Sequence, residues 1–192
     1  MAKLYETLTP ELRSFIAAQR IFFTGSTAGS GRINVSPKGA DTLRILDNHR
    51  CAYVDLTGSG AETGAHARAD GRLTLMFCSF DEKPLILRLY GKASVIARST
   101  RDWDSMRILF PTHPGARQII LMEIESIQTS CGYVVPLFMY QGERDTYPRW
   151  AEKKGAAGLA KYQREKNQKT IDGLSTGLVV PDTEDDAPLH SG

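Results

Sequence analysis

The sequence has few cysteines and no two of them close together. Cys51, Cys78 and Cys131 are widely spaced, odd in number and free of any C-x-x-C pair. That argues against a disulfide framework and a cysteine-rich zinc site, and fits a reducing, cytoplasmic setting. A long apolar run is also missing. Val134-Val135-Pro136-Leu137-Phe138-Met139-Tyr140 is among the longest and falls far short of the roughly 20 residues of a membrane-spanning helix. Lys3, Glu6, Glu11 and Arg13 break up the apolar positions of the first 20 residues, so no signal-peptide core is present there. Neither charge dominates: 24 basic against 22 acidic side chains give +2, which signals neither nucleic acid nor a membrane surface as a partner. The phosphate-loop pattern G-x-x-x-x-G-K-[ST] does not occur, and Gly64 lies one residue beyond the G-x-G-x-x-G position set by Gly58 and Gly60. His49, His66, His113 and His190 form no metal-ligand pattern, so no metal site is expected.

What is present is an ordinary globular composition, 41% hydrophobic and 24% charged over 192 residues, the size of one domain. Thr9-Pro10-Glu11 reads as an N-cap with proline at the first helical position, opening a helix to about Arg20. Short strands are predicted over 21–24, 32–36, 42–46 and 52–56, with Pro37-Lys38-Gly39 ending the second. A short helix over 61–69 should stop at Asp70-Gly71. Strands over 72–77, 85–95 and 118–128 follow, the last with its alternation slipping in the middle. Thr100 is placed to cap a helix through Phe110. From 143 to 169 the composition predicts one or two short helices interrupted by Pro148 and Gly155. Six or seven strands without a strand-helix-strand rhythm predict a mainly β fold, a small barrel with three or four peripheral helices. Residues 1–176 are read as one domain and 177–192 as a flexible acidic tail.

The segments Arg32-Ile33-Asn34-Val35-Ser36-Pro37-Lys38-Gly39 and Tyr53-Val54-Asp55-Leu56-Thr57-Gly58-Ser59-Gly60 resemble the pyridoxamine 5′-phosphate oxidase-like flavoproteins. The similarity continues through Arg72-Leu73-Thr74-Leu75-Met76-Phe77, Leu87-Arg88-Leu89-Tyr90-Gly91 and Gln128-Thr129-Ser130-Cys131-Gly132-Tyr133, about residues 10–140 in all. The resemblance implies an antiparallel split β-barrel of Greek-key type, paired as a homodimer, with FMN in the groove between subunits. Carried over position by position, it implies that Arg32, Ser36, Lys38 and Thr57 hold the cofactor phosphate and that Arg88 lies near the isoalloxazine. Glu62-Thr63 stands where the oxidases carry a basic pair, so Thr63 or backbone amides are expected to replace two cations.

The residue chemistry agrees. A phosphate needs concentrated donors, which arginine, lysine and hydroxyls supply, and Gly58-Ser59-Gly60 ahead of a helix presents amides to an anion. Two plainer readings stand beside it: Lys38 as a solubilising turn residue, and the glycine turn as a linker. His66 is a candidate cofactor contact as well as an ordinary helix residue. Cys131 is expected to pack as a buried thiol. Tyr133, Tyr140 and Trp150 are read as core, interface or substrate-side aromatics, and the basic run from Arg144 to Lys169 as a solvated face or a docking patch for a phosphorylated substrate or reductant.

The resemblance implies an oxidoreductase that moves hydride through flavin N5 to or from a small molecule, the ring carrying the electrons and the protein setting its surroundings. No residue stands out as a general acid or base. The Arg-x-His substrate motif of the oxidases is missing, since the comparable region reads Lys166-Asn167-Gln168-Lys169-Thr170-Ile171-Asp172-Gly173. Two classes therefore stay open: a flavin-dependent oxidoreductase using FMN or the deazaflavin F420, and a non-catalytic protein that binds, stores or senses flavin, F420 or haem.

Overall fold

The computed structural model describes residues 2–180; the acidic-tail expectation falls largely on residues 181–192, outside the described range. Helix α1 spans Pro10–Ala18, with the Thr9 hydroxyl accepting from the Leu12 amide and Pro10 at its first turn. It buries Leu12 and Ile16 against the sheet. The strands are β1 (Lys3–Tyr5), β2 (Phe22–Ser26), β3 (Asn34–Lys38), β4 (Leu43–Ile45), β5 (Arg50–Leu56), β6 (Arg72–Cys78), β7 (Ile86–Ala97) and β8 (Ala116–Ser130). Helices α2 (Glu62–Ala69), α3 (Trp103–Arg107) and α4 (Thr146–Lys166) complete the described chain.

All eight strands belong to one antiparallel sheet in the order β3-β2-β6-β7-β8-β5-β4, with β1 paired to the far end of β8. The sheet curls into a half-barrel with helices at its periphery, the split β-barrel architecture. Alternation decides what fills it. Phe22, Leu75, Phe77, Leu87, Leu89, Ile120, Met122, Ile127, Cys51 and Tyr53 point inward and are buried. Strand β5 is buried on both sides: Cys51 and Tyr53 face the barrel, while Ala52 and Val54 meet Ile96, Phe110 and Ile119 in a second apolar cluster.

Several boundaries depart from the sequence reading for identifiable reasons. Strand β2 runs on through Gly25 and Ser26 because Gly25 pairs with Val35 on one side and Thr74 on the other. Strand β3 starts after Arg32 and keeps Pro37, which a ladder tolerates because β3 lies at the sheet edge. The slip in β8 is a bulge: Tyr90 faces Ser126 and Gly91 faces Ile124, leaving Glu125 over. A Cβ on Gly91 would lie 1.9 Å from the Glu123 carbonyl oxygen, so only glycine fits there. The helix expected from Thr100 is cut to five residues. Pro148 is absorbed in the first turn of α4, whereas Gly155 (φ 64°) does kink it. Strand β1 was not expected.

Candidate functional site

The chemistry of the molecule gathers where β2, β3, the end of β5 and the start of α2 meet. Strand pairing sets Phe22 opposite Lys38, Thr24 opposite Ser36 and Ser26 opposite Asn34, so Asn34, Ser36 and Lys38 share the inner face of the edge strand. All three are half-buried. The Asn34 amide nitrogen lies 3.3 Å from both Ser36 Oγ and Thr63 Oγ1. Behind them, buried Ser26 contacts His66 Nδ1 at 3.0 Å and Thr63 Oγ1 at 3.4 Å. The Tyr53 hydroxyl points toward Thr24 and Thr63 without completing a hydrogen bond to any described residue, and burial raises its pKa.

Beneath this row lies a buried charge network. Asp55, 3% exposed, accepts from Arg117 Nε at 2.8 Å and from Gln118 Nε2 at 2.8 Å. Two consecutive residues of β8 reach one carboxylate because the ladder is bulged there. Asp55 pairs with Gln118 and Leu56 with Ala116, and the unpaired Arg117 turns in. Burial pushes the Asp55 carboxyl up, but the charges of Arg117 and Lys38 and the hydrogen bonds of Arg117 and Gln118 outweigh it and hold it below the ordinary range. Arg117 Nη2 also donates to the Gly60 carbonyl at 2.6 Å, which ties the network to the glycine turn. Its Nη1 is buried without a partner among the described residues. Lys38 Nζ is 3.8 Å from Asp55, an ion pair but too long for a hydrogen bond, so its three donors remain available to a ligand.

The expected site residues fall into four placements. Ser36, Lys38, Thr63 and His66 come together as described. Thr57 and Gly58 adjoin them but are held internally: Thr57 Oγ1 donates to Gly115 O at 2.8 Å and accepts from Gln163 Nε2 at 2.7 Å, and Gly58 O accepts from Asn167 Nδ2 at 2.8 Å. Tyr147 lies over Gly115, its buried hydroxyl pushed up to about 12 by desolvation. Arg32 projects outward at the head of β3, where its main-chain N–H donates to Asp172 Oδ2 at 2.7 Å and its guanidinium pairs with the same carboxylate. Glu62 accepts from the Ile171 amide.

Arg88 stands apart. It aligns with Met76, Phe23 and Gln128 on the outer face of the sheet and reaches Ser130 Oγ at 3.2 Å. Within the chain it is on the opposite side of the sheet from Lys38. Cys131 is exposed, contrary to the expected buried thiol, because it follows the last residue of β8 and leaves the ladder there. Trp150 packs among Tyr147 and Tyr162, whereas Tyr133 is 79% exposed. Residues the sequence reading passed over are Asn34, Ser26, Tyr53, Asp55 and Arg117. Asp55 carried a signal, an acid near the end of a largely apolar strand, which burial demands be paired.

Residues 8–131 match the family model described as pyridoxamine 5′-phosphate oxidase. The chain belongs to the pyridoxamine 5′-phosphate oxidase family. The split barrel is a flavin-binding fold in this family. Among its relatives is the pyridoxamine 5′-phosphate oxidase family protein ustO of Aspergillus flavus, 38% identical over 197 residues that cover 91% of this chain and 77% of the relative. Solved structures share the architecture at lower identity. A point variant of HupZ from Group A Streptococcus aligns with TM-score 0.50 and 20% identity, over 64% of this chain and 98% of that one. A pyridoxamine 5′-phosphate oxidase candidate from Lactobacillus delbrueckii aligns with TM-score 0.51 and 17% identity, over 64% and 94% respectively. At these identities the two structures speak to the fold alone. Among the described residues no helix is long and apolar enough to cross a membrane, and no cluster of metal-ligating side chains occurs.

Proposed function

We propose that the chain is an FMN-dependent oxidoreductase that holds the cofactor phosphate between β3 and the start of α2. The observation carrying this reading is the half-exposed row Asn34, Ser36 and Lys38 on an edge strand, bridged by hydrogen bonding to Thr63 in the first turn of α2. A phosphate ester wants several donors and a countercharge. This row supplies hydroxyls, an amide and one ammonium, and α2 begins without a side-chain cap, so its first main-chain N–H groups add to them. The donor set fits one phosphate group with Lys38 as its principal cation. It differs from the oxidase pattern in relying on hydroxyls and amides where a basic pair would stand.

A bound flavin supplies hydride transfer through N5. The protein's own part is to anchor, orient and dehydrate. Asp55 fixes the Arg117 guanidinium under the glycine turn and draws Lys38 toward the pocket floor, while Ser26 and His66 buttress Thr63 from behind. Arg88 on the outer face is suited to reach a cofactor seated on a second copy. A homodimer is supported by the apolar surface that one chain leaves uncovered: Tyr133, Val134, Leu137, Phe138 and Met139 are each at least 63% exposed along one segment, and Ile33, just ahead of β3, and Val35 within it are exposed as well.

The test is Lys38→Ala with two ligands. Losing a charged hydrogen bond of about 1.5–3 kcal/mol weakens FMN by roughly 10- to 150-fold. Riboflavin, without the phosphate, keeps its affinity to within a few-fold. Equal loss for both ligands contradicts the assignment.

A further inference from the structure

The segment that follows α4 returns toward the proposed phosphate site and places a carboxylate on Arg32 beside it. Asn167, at the helix end, is fully buried and donates to Gly58 O. Thr176 closes the loop by donating from its hydroxyl to Asn167 O at 2.6 Å and from its amide to Gln168 O at 3.0 Å. Thr170 and Leu174 then form a tight hairpin around Gly173 (φ 82°). Its base is firm, with Asn167, Thr170, Thr176 and Leu178 all buried. Its tip is not: residues 171–175 are exposed, Ile171 by 72%.

Two polar contacts hold that tip against the rest of the protein. Glu62 accepts from the Ile171 amide at 3.2 Å, and Asp172 takes the Arg32 main-chain N–H and guanidinium together. The donors around Asp172 form the arrangement that binds one edge of a phosphate, a main-chain N–H beside an arginine fork. Gly31, at φ 92°, leaves room for the carboxylate, since a Cβ there would lie 2.6 Å from Asp172 Oδ2. Arg32 is two residues upstream of Asn34, so this anion position adjoins the Asn34, Ser36 and Lys38 row.

We propose that residues 168–175 form a latch in which Asp172 competes with phosphate-bearing ligands for Arg32, so that a bound phosphate releases the tip while the buried base stays in place. The inference rests on the proposed phosphate site beside β3. An exposed ion pair of this kind is weak in water, because both groups are well solvated when apart, and a dianionic phosphate exchanges for a single carboxylate on Arg32 at little cost. The exposed tip has little apolar area to lose on opening, which marks it as the part of the fold that opens first. Asp172 is thereby a specificity-determining residue: it keeps Arg32 from weaker, singly charged anions and yields it to phosphate.

The experiment uses the full chain, its Asp172→Asn variant and Arg32→Ala, with FMN, riboflavin and inorganic phosphate as probes, and reads both affinity and amide exchange of residues 170–175. Asp172→Asn is expected to tighten FMN by about three-fold, the scale of an exposed ion pair, and to leave riboflavin unchanged. Adding Arg32→Ala abolishes the gain. FMN should speed amide exchange at 170–175 in the parent protein, and Asp172→Asn should speed it without ligand. Unchanged or weaker FMN binding in Asp172→Asn overturns the latch. If no variant binds FMN, the flavin reading fails by itself, and inorganic phosphate decides the latch: faster exchange at 170–175 that depends on Arg32 supports it, and no change refutes it.

Discussion

Replacing Asp55 by alanine should remove more stability than any other single change in the polar part of the fold. The carboxylate is buried, and it organises Arg117, Gln118 and, at 3.8 Å, Lys38. Without it Arg117, 3% exposed, keeps the Gly60 carbonyl as its remaining hydrogen-bond partner for a charge that cannot reach water. Breaking a buried pair from one side costs about 3–5 kcal/mol, mostly from the stranded partner. For a domain of this size that corresponds to a fall of roughly 6–20 °C in Tm. Asp55→Asn keeps one acceptor oxygen for Arg117 Nε and Gln118 but loses the charge and sets an amide donor toward Lys38, so a loss smaller than that of Asp55→Ala, about 1–3 kcal/mol, is expected. Pairing Asp55→Ala with Arg117→Met should recover much of the deficit, because both ends of the pair are then apolar. Urea unfolding of the four proteins measures all of this. The sign with pH follows from the carboxyl being held below its ordinary value in the fold: its contribution is present above about 3.9 and is lost as pH falls toward the folded value. Asp55→Ala should therefore show a shallower loss of stability below pH 4 than the parent. A change under about 1 kcal/mol in Asp55→Ala would refute the view that this pair is closed off from water.

Two further predictions concern the scaffold. Gly91→Ala puts a Cβ 1.9 Å from backbone that cannot yield, so the β7–β8 ladder must break locally; a loss of at least about 3 kcal/mol is expected in the same urea assay, and a near-neutral result would contradict the bulge geometry. Burial pushes the Cys51 thiol up to about 12, while Cys131 is exposed. A thiol reagent at neutral pH should therefore modify Cys131 within the folded protein and Cys51 only with global unfolding, as mass spectrometry of the modified peptides would show.

The sequence carried the sheet well because its signals were local. Thr9-Pro10 and Asp70-Gly71 punctuate where the chain turns, and the broken alternation of 118–128 is the trace of the bulge at Glu125. Edge effects were less legible. Whether Pro37 ends a strand or rides within it depends on which strands flank β3, and that is a property of the whole sheet. At the site, the family pattern and donor chemistry named Ser36 and Lys38, Thr63 was named as a stand-in for the missing basic pair and His66 for its place on the helix beside them; the fold brings these four side chains together. Thr57 and Arg32 were equally good donors by type, yet the fold gives each an internal partner supplied from more than 100 residues away, Gln163 and Asp172. No local pattern reports that. Arg88 illustrates the period-2 rule: its strand was located correctly, but only the register against β6 and β8 places it on the outer face.

The central claim, FMN held by its phosphate at a site completed by a second copy, is tested most directly by sedimentation velocity of the freshly purified protein, followed at the visible flavin absorption. The account predicts that the colour travels with a species of twice 21.2 kDa. Colour moving with the single chain, or a two-chain species that stays colourless after incubation with FMN, would contradict it.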